Sequence, residues 1–195
     1  MGNREDLLAG ARRCLEEKGY ARTTVRDIAS AAGVSMAAIG YHYGSREALL
    51  NQALFVAMDE WAAGSGRLAG QGGTAEERYA DTWDRKIRDF GEMRWLWIAN
   101  VEAFVQAQSS PELLAALAEG QRASRRMVAA QLAGVPQQEV AEEDVRGLGS
   151  VHLALLSGVM VQALTDPEQA PDGRSLAQGL RRMAELLEEP VPTDG

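Results

Sequence analysis

With 195 residues, 46 % of them hydrophobic and 25 % charged, the chain has enough apolar material to bury roughly 70 % of its unfolded surface. Its one cysteine, Cys14, excludes an internal disulfide and fits a reducing compartment. The net charge of −8 argues against nucleic acid only until it is divided: residues 1–46 hold seven Lys/Arg against five acids, and the remainder carries −10.

The N-terminus, MGNREDLLAGARR, is charged from Arg4 onward and has no signal-peptide core. The first helix is predicted from about Arg4 to Lys18, with Leu7, Leu8, Ala11, Cys14 and Leu15 at helical spacing, Gly19 as its stop and Tyr20 folding back beneath it. Cys14 lies on that apolar face as a small core residue. Thr24 and Asp27 are spaced as a capping box, and Val25, Ile28, Ala29 and Ala32 give the second helix one apolar face. Gly33 supplies a positive φ; Ser35 is placed to cap a third helix, with Val34 and Ile39 as a hydrophobic staple. Two short helices about a glycine turn make a helix-turn-helix. With Ile39 and Tyr43 inward, the period turns Ala37, Ala38, Gly40 and Tyr41 outward as a small, uncharged face suited to a major groove.

Ser45 caps the fourth helix, on which Leu50, Leu54, Met58 and Trp61 form a stripe, and Arg46 adds charge at its start. Gly64 to Gly73 reads as a mobile loop; it lacks phosphate-loop spacing. Thr74 and Glu77 open a helix with Tyr79, Trp83, Ile87 and Phe90 inward, and another follows from Glu92 to about Gln108. Ser110-Pro111-Glu112 starts a helix reaching Gly134, with Pro136 beyond. Two more are predicted over 142–165 and 172–189, the second carrying Leu176, Leu180, Met183 and Leu187. The tail PVPTDG is predicted disordered. No segment alternates with a period of two, so the chain reads as all-α with about nine helices. The longest apolar run, Leu153 to Leu164, is interrupted by Ser157, Gly158 and Gln162 and is too short to span a bilayer, so no membrane partner and a cytoplasmic location are expected.

The stretch GYARTTVRDIASAAGVSMAAIGYHYGSREALL resembles the N-terminal DNA-binding domain of the TetR family, over about a quarter of the chain from Leu7 to Leu50. The expected division is a DNA-binding domain over 1–46, a helical effector-binding and dimerisation domain over 47–189, and a tail over 190–195. Thr24, Tyr41, His42 and Arg46 are the expected phosphate contacts; Ala37 and Ala38 are the expected base contacts, Arg26 reaches either, and Ser35 joins the interface. One departure stands at Gly40, where the family commonly has a phosphate-contacting tyrosine; that contact is absent here or supplied by Tyr41.

Ser150, Ala154 and Gly158 recur every four residues as a ridge of small side chains, flanked by Leu153, Val161 and Leu164. With Leu176, Leu180, Met183 and Leu187 this predicts a homodimer through a four-helix bundle, which the resemblance also implies; the alternative is a ridge packed within its own chain. Trp83, Trp97, Asn100, Phe104, Met127 and His152 are candidates to line an effector site, an expectation favoured by the resemblance over a plain core with one satisfied Asn. The effector is an unidentified small molecule. Two histidines, His42 and His152, and the absence of HExxH, CxxC and GxSxG leave no catalytic or metal set, so no enzyme and no cofactor are expected. The implied function is a repressor released from a palindromic DNA operator by a small apolar effector. The alternative is a helical small-molecule-binding protein whose helix-turn-helix is vestigial.

Overall fold

A computed structural model describes residues 3–65 and 73–188. Among these the chain is all-helical: α1 (Asn3–Lys18), α2 (Val25–Ala32), α3 (Met36–Tyr43), α4 (Arg46–Ser65), α5 (Ala75–Glu92), α6 (Arg94–Ala107), α7 (Pro111–Ala133), α8 (Glu142–Thr165) and α9 (Gly173–Glu188). The expected disordered tail and most of the Gly64–Gly73 loop lie outside the described residues. Two compact units form, one from Met1–Ala63 with Met93–Leu156, the other from Gly64–Glu92 with Ser157–Gly195.

The signals that end and begin the helices act as their chemistry requires. Gly19, Gly33 and Gly134 take φ of 79°, 69° and 71°, a conformation L side chains rarely adopt, and each closes the helix before it. Thr24 and Asp27 make the full reciprocal box at the start of α2. Thr74 and Glu77 do the same before α5, and Ser110 with Pro111 opens α7. Ser45 accepts the Ala48 amide at 3.0 Å. The Ser35 hydroxyl is the exception, since it makes no cap hydrogen bond to α3.

In the first unit, Leu7, Ala11, Leu15, Ile28, Ile39, Leu50 and Leu54 from α1 to α4 share one core with Leu96, Ala99 and Ala103 of α6. Tyr20 lies beneath α1, and its hydroxyl donates to Asn51 Oδ1 at 2.6 Å, tying the α1–α2 turn to α4. The buried residues of α6 are Leu96, Trp97, Ala99, Ala103 and Ala107, and the small Ala99 and Ala103 let α1 come close. Of the expected effector residues on α6, Trp97 is buried, Asn100 half-buried and Phe104 54 % exposed.

The helix over Glu142–Thr165 is unbroken because a π-turn at Val145–Gly149 carries the chain through its glycines. Gly149 rests on α7 so closely that a Cβ there would fall on the Arg125 carbonyl oxygen. At 24 residues this helix is long and apolar enough, by length and composition, to cross a bilayer, in contrast to the shorter run read from sequence. Only 22 % of its most apolar window is buried in the monomer.

In the second unit α9 packs on α5. The Gly173 amide donates to Asp84 at 2.7 Å, Arg181 pairs with Glu76, and a Cβ at Gly173 would overlap the Ala80 carbonyl. Trp83 and Phe90 of α5 are fully buried, with Tyr79 edge-on to Trp83 at 6.3 Å.

Candidate nucleic-acid interface

The outer face of α3 is Met36, Ala37, Gly40 and Tyr41, all exposed, with Tyr41 at 86 %. Spacing of i, i+1, i+4 and i+5 keeps them on one side of the helix. None carries a charge. Ala38, expected on this face, is only 8 % exposed and belongs to the core with Ile39, so it is removed from the base contacts. The reason is rotational: α2 and α1 cover the side of α3 that carries 38 and 39 together, and the exposed face is turned toward residue 36. Met36, which as a methionine beside a cap position has the sequence character of a core residue, is instead 52 % exposed once the helix is seated.

Gly40 faces open space, where an added Cβ would meet nothing within 4 Å among the described residues. Tyr41 stands free of the core and lies edge-on to His42, ring centroids 4.9 Å apart at 84°. Ser35, which caps nothing, is exposed and keeps its hydroxyl available. Tyr43 faces inward: its hydroxyl donates to the Arg4 carbonyl at 2.6 Å and Arg4 sits over its ring.

The cations sort by their engagements. Arg26 and Arg22 are exposed, with the Arg22 Nε donating to the Lys18 carbonyl at 2.9 Å. Lys18 is paired to Asp27 at 2.5 Å, and Arg12 reaches Glu16 and Glu60. The expected phosphate role of Arg46 meets a different geometry: its guanidinium donates to the Thr23 carbonyl and pairs with Glu47 at 2.9 Å. Its charge is thus neutralised beside the α1–α2 turn, and it joins α4 to that turn. Thr24 donates to Asp27 Oδ2 at 2.7 Å, so its proton is already engaged in the cap. Lys18 first, then the Thr24 hydroxyl and amide, hold the Asp27 carboxylate well below the usual range; the same Asp27 bond raises the Lys18 ammonium.

The six expected effector residues divide between the two units, Trp83 in one and Trp97, Asn100, Phe104, Met127 and His152 in the other. Trp97 packs edge-on to Trp61 at 4.6 Å and 90°, and His152 is buried. A cleft of about 330 Å³ exists in the second unit, but Thr74, Glu76, Glu77, Asp81, Asp84 and Arg174 line it and none of the six does.

A family model described as bacterial regulatory proteins, tetR family, matches residues 7–53, and one described as tetracyclin repressor-like, C-terminal domain, matches residues 74–186. The chain belongs to the TetR family. Its N-terminal stretch is similar to the HTH-type transcriptional repressor AcnR of Corynebacterium efficiens, 45 % identical over 49 residues. That match spans 25 % of this chain and 26 % of AcnR, about a quarter of the curated relative's length. Two solved structures share the TetR fold over almost their whole length. A transcriptional regulator from Rhodococcus sp. Rha1 has a TM-score of 0.68 at 21 % identity, covering 97 % of this chain and 99 % of that one. A TetR-family regulator from Rhodococcus sp. has 0.67 at 25 %, covering 94 % and 98 %. The first family match covers α1 from Leu7 and all of α2 and α3, including the exposed face of Met36, Ala37, Gly40 and Tyr41.

Proposed function

We propose that this TetR-family chain is a homodimeric transcriptional repressor that binds a palindromic DNA operator through residues 1–46. The observation that carries the reading is the uncharged, small outer face of α3, flanked by exposed Arg22 and Arg26. Small side chains let the helix backbone come near base edges, and Met36 and Ala37 offer apolar contact for thymine methyls. Arg26, Arg22, Ser35, Tyr41 and His42 are the groups proposed to meet phosphates and set register, with Tyr41 in place of the tyrosine the family commonly has at position 40.

Residues 47–189 are proposed to dimerise and to take a small apolar effector. Dimerisation is supported by apolar side chains left uncovered in the monomer: Val161 at 53 %, Met183 at 52 % and Leu187 at 87 % exposed. Ala154 and Gly158 of the small-residue ridge are also exposed, and a Cβ at Gly158 would meet nothing within 4 Å among the described residues, which supports a ridge open to a partner. Ser150, Leu176 and Leu180 are half-buried. A second copy is the proposed cover, and two-fold symmetry then presents two copies of α3 to two half-sites. For the effector, the C-terminal family match and the buried Trp97, half-buried Asn100 and Met127, and buried His152 support a site in the first unit. Release needs only that the effector prefer the non-binding state by a few kcal/mol.

Selection of bound duplexes from a random pool tests the reading. The expected result is enrichment of a palindrome by the parent and none by Ala37→Glu, which sets a carboxylate against the bases. No enrichment by folded parent would overturn the repressor and favour a ligand-binding protein with a vestigial helix-turn-helix.

A further inference from the structure

We infer that Glu102, on α6, is a positioning residue for DNA reading: its carboxylate sets the α1–α2 turn from which α2 and α3 are hung. Glu102 Oε2 accepts two consecutive backbone amides, Tyr20 at 3.0 Å and Ala21 at 3.3 Å. These amides follow Gly19, whose φ of 79° ends α1, and so belong to a turn with no helical partner of its own. The same turn is held from α4 twice, through Asn51 on the Tyr20 hydroxyl and Arg46 on the Thr23 carbonyl. Thr23, fully buried, closes it by donating to the Gly19 carbonyl at 2.7 Å. The next residue, Thr24, is the N-cap of α2.

Residues 19–23 are therefore a junction at which α6 and α4 both grip the segment that aims the reading helices. The grip from α6 is directional, because a carboxylate shared between two amides holds position as well as distance. Packing alone does not call for it: Ala99 and Ala103 already seat α6 in the same core, and neither needs an acid between them. A shift of α6 consequently pulls on the α1–α2 turn directly. This inference rests on the operator reading above.

The test compares full-length parent, Glu102→Ala and Glu102→Gln on the duplex that the parent enriches from a random pool, with amide exchange as a second readout. Glu102→Ala is expected to raise exchange at the Tyr20 and Ala21 amides about tenfold and to weaken the duplex about tenfold per folded molecule. The slope of affinity against salt stays at the parent's value, because no phosphate contact is lost. Glu102→Gln keeps an acceptor oxygen and is expected within about threefold of parent. In the parent, adding the duplex slows exchange at the same two amides, as reciprocal coupling requires. A merely structural carboxylate would instead lower the melting temperature and leave folded-state affinity within about twofold. That result overturns the inference, as does exchange indifferent to DNA. Should Glu102→Ala fail to fold, Glu102→Gln and the parent's DNA-dependent exchange decide the matter. A parent that enriches no duplex overturns the operator reading and this role together; a parent that binds beside an equally tight alanine variant overturns this role alone.

Discussion

Two adjacent alanines separate the surface of this protein from its core. Ala37 is exposed and Ala38 is 8 % exposed, so the same substitution has opposite meanings at the two positions. Ala37→Glu is expected to keep the fold and lose sequence-specific binding, read by circular dichroism and gel shift on one sample. Ala38→Glu buries an unpaired carboxylate among Ile28, Ile39 and their neighbours and is expected to unfold the helix-turn-helix, by about 3 kcal/mol or more. Asp27 supplies a pH test. Its folded carboxyl is held below the ordinary value of 3.8 by Lys18 and Thr24, so the unfolded chain takes up the proton first. The stability it contributes is complete above that ordinary value and is lost as pH falls through the folded one. The melting-temperature gap between parent and Asp27→Asn is thus expected to be full near neutrality and to narrow progressively as pH falls below about 4. Equal gaps at all pH values would remove the carboxylate from the account.

At the scale of elements, close approach is decided by backbone, and the glycines mark where it happens. The π-turn in α8 lays Gly149 on the Arg125 carbonyl of α7, whereas Gly158, on the ridge that the sequence makes conspicuous, faces open space. Gly149→Ala is expected to destabilise by about 1–3 kcal/mol through overpacking, and Gly158→Ala to be neutral or stabilising in the monomer. Denaturant midpoints of the two variants at a concentration where both sediment as monomers check this; a larger loss there for Gly158→Ala would reverse the assignment. The Ser150, Ala154, Gly158 ridge and the Ala99, Ala103, Ala107 ridge on α6 have the same spacing in sequence, yet the second is buried. Which ridge is filled by its own chain is invisible until the helices are rotated into place.

For the whole molecule, the uncovered apolar side chains of α8 and α9 set the expected assembly. Val161→Arg and Leu187→Arg are expected to shift sedimentation from dimer to monomer in detergent-free buffer and to abolish cooperative binding to a palindrome. A parent that sediments as a monomer at working concentration, or only enters solution with detergent, would displace the second copy as the cover of these helices.

Local chemistry made most of the fold legible in one dimension. The Thr24–Asp27 and Thr74–Glu77 boxes, the Ser110-Pro111 start, and the left-handed glycines act within a turn of chain, so the helices and their ends follow from neighbours a few residues apart. The family resemblance from Leu7 to Leu50 is legible for the same reason. What only the tertiary structure decided is rotation about each helix axis and pairing across long separations. Ala38 goes inward and Met36 outward, Phe104 stays exposed while Ala103 is buried, Arg46 turns to Thr23, and Glu102 reaches amides 82 and 81 residues away. A helical period fixes the angle between two residues on one helix, but the direction that face points is set by every other surface competing to be buried.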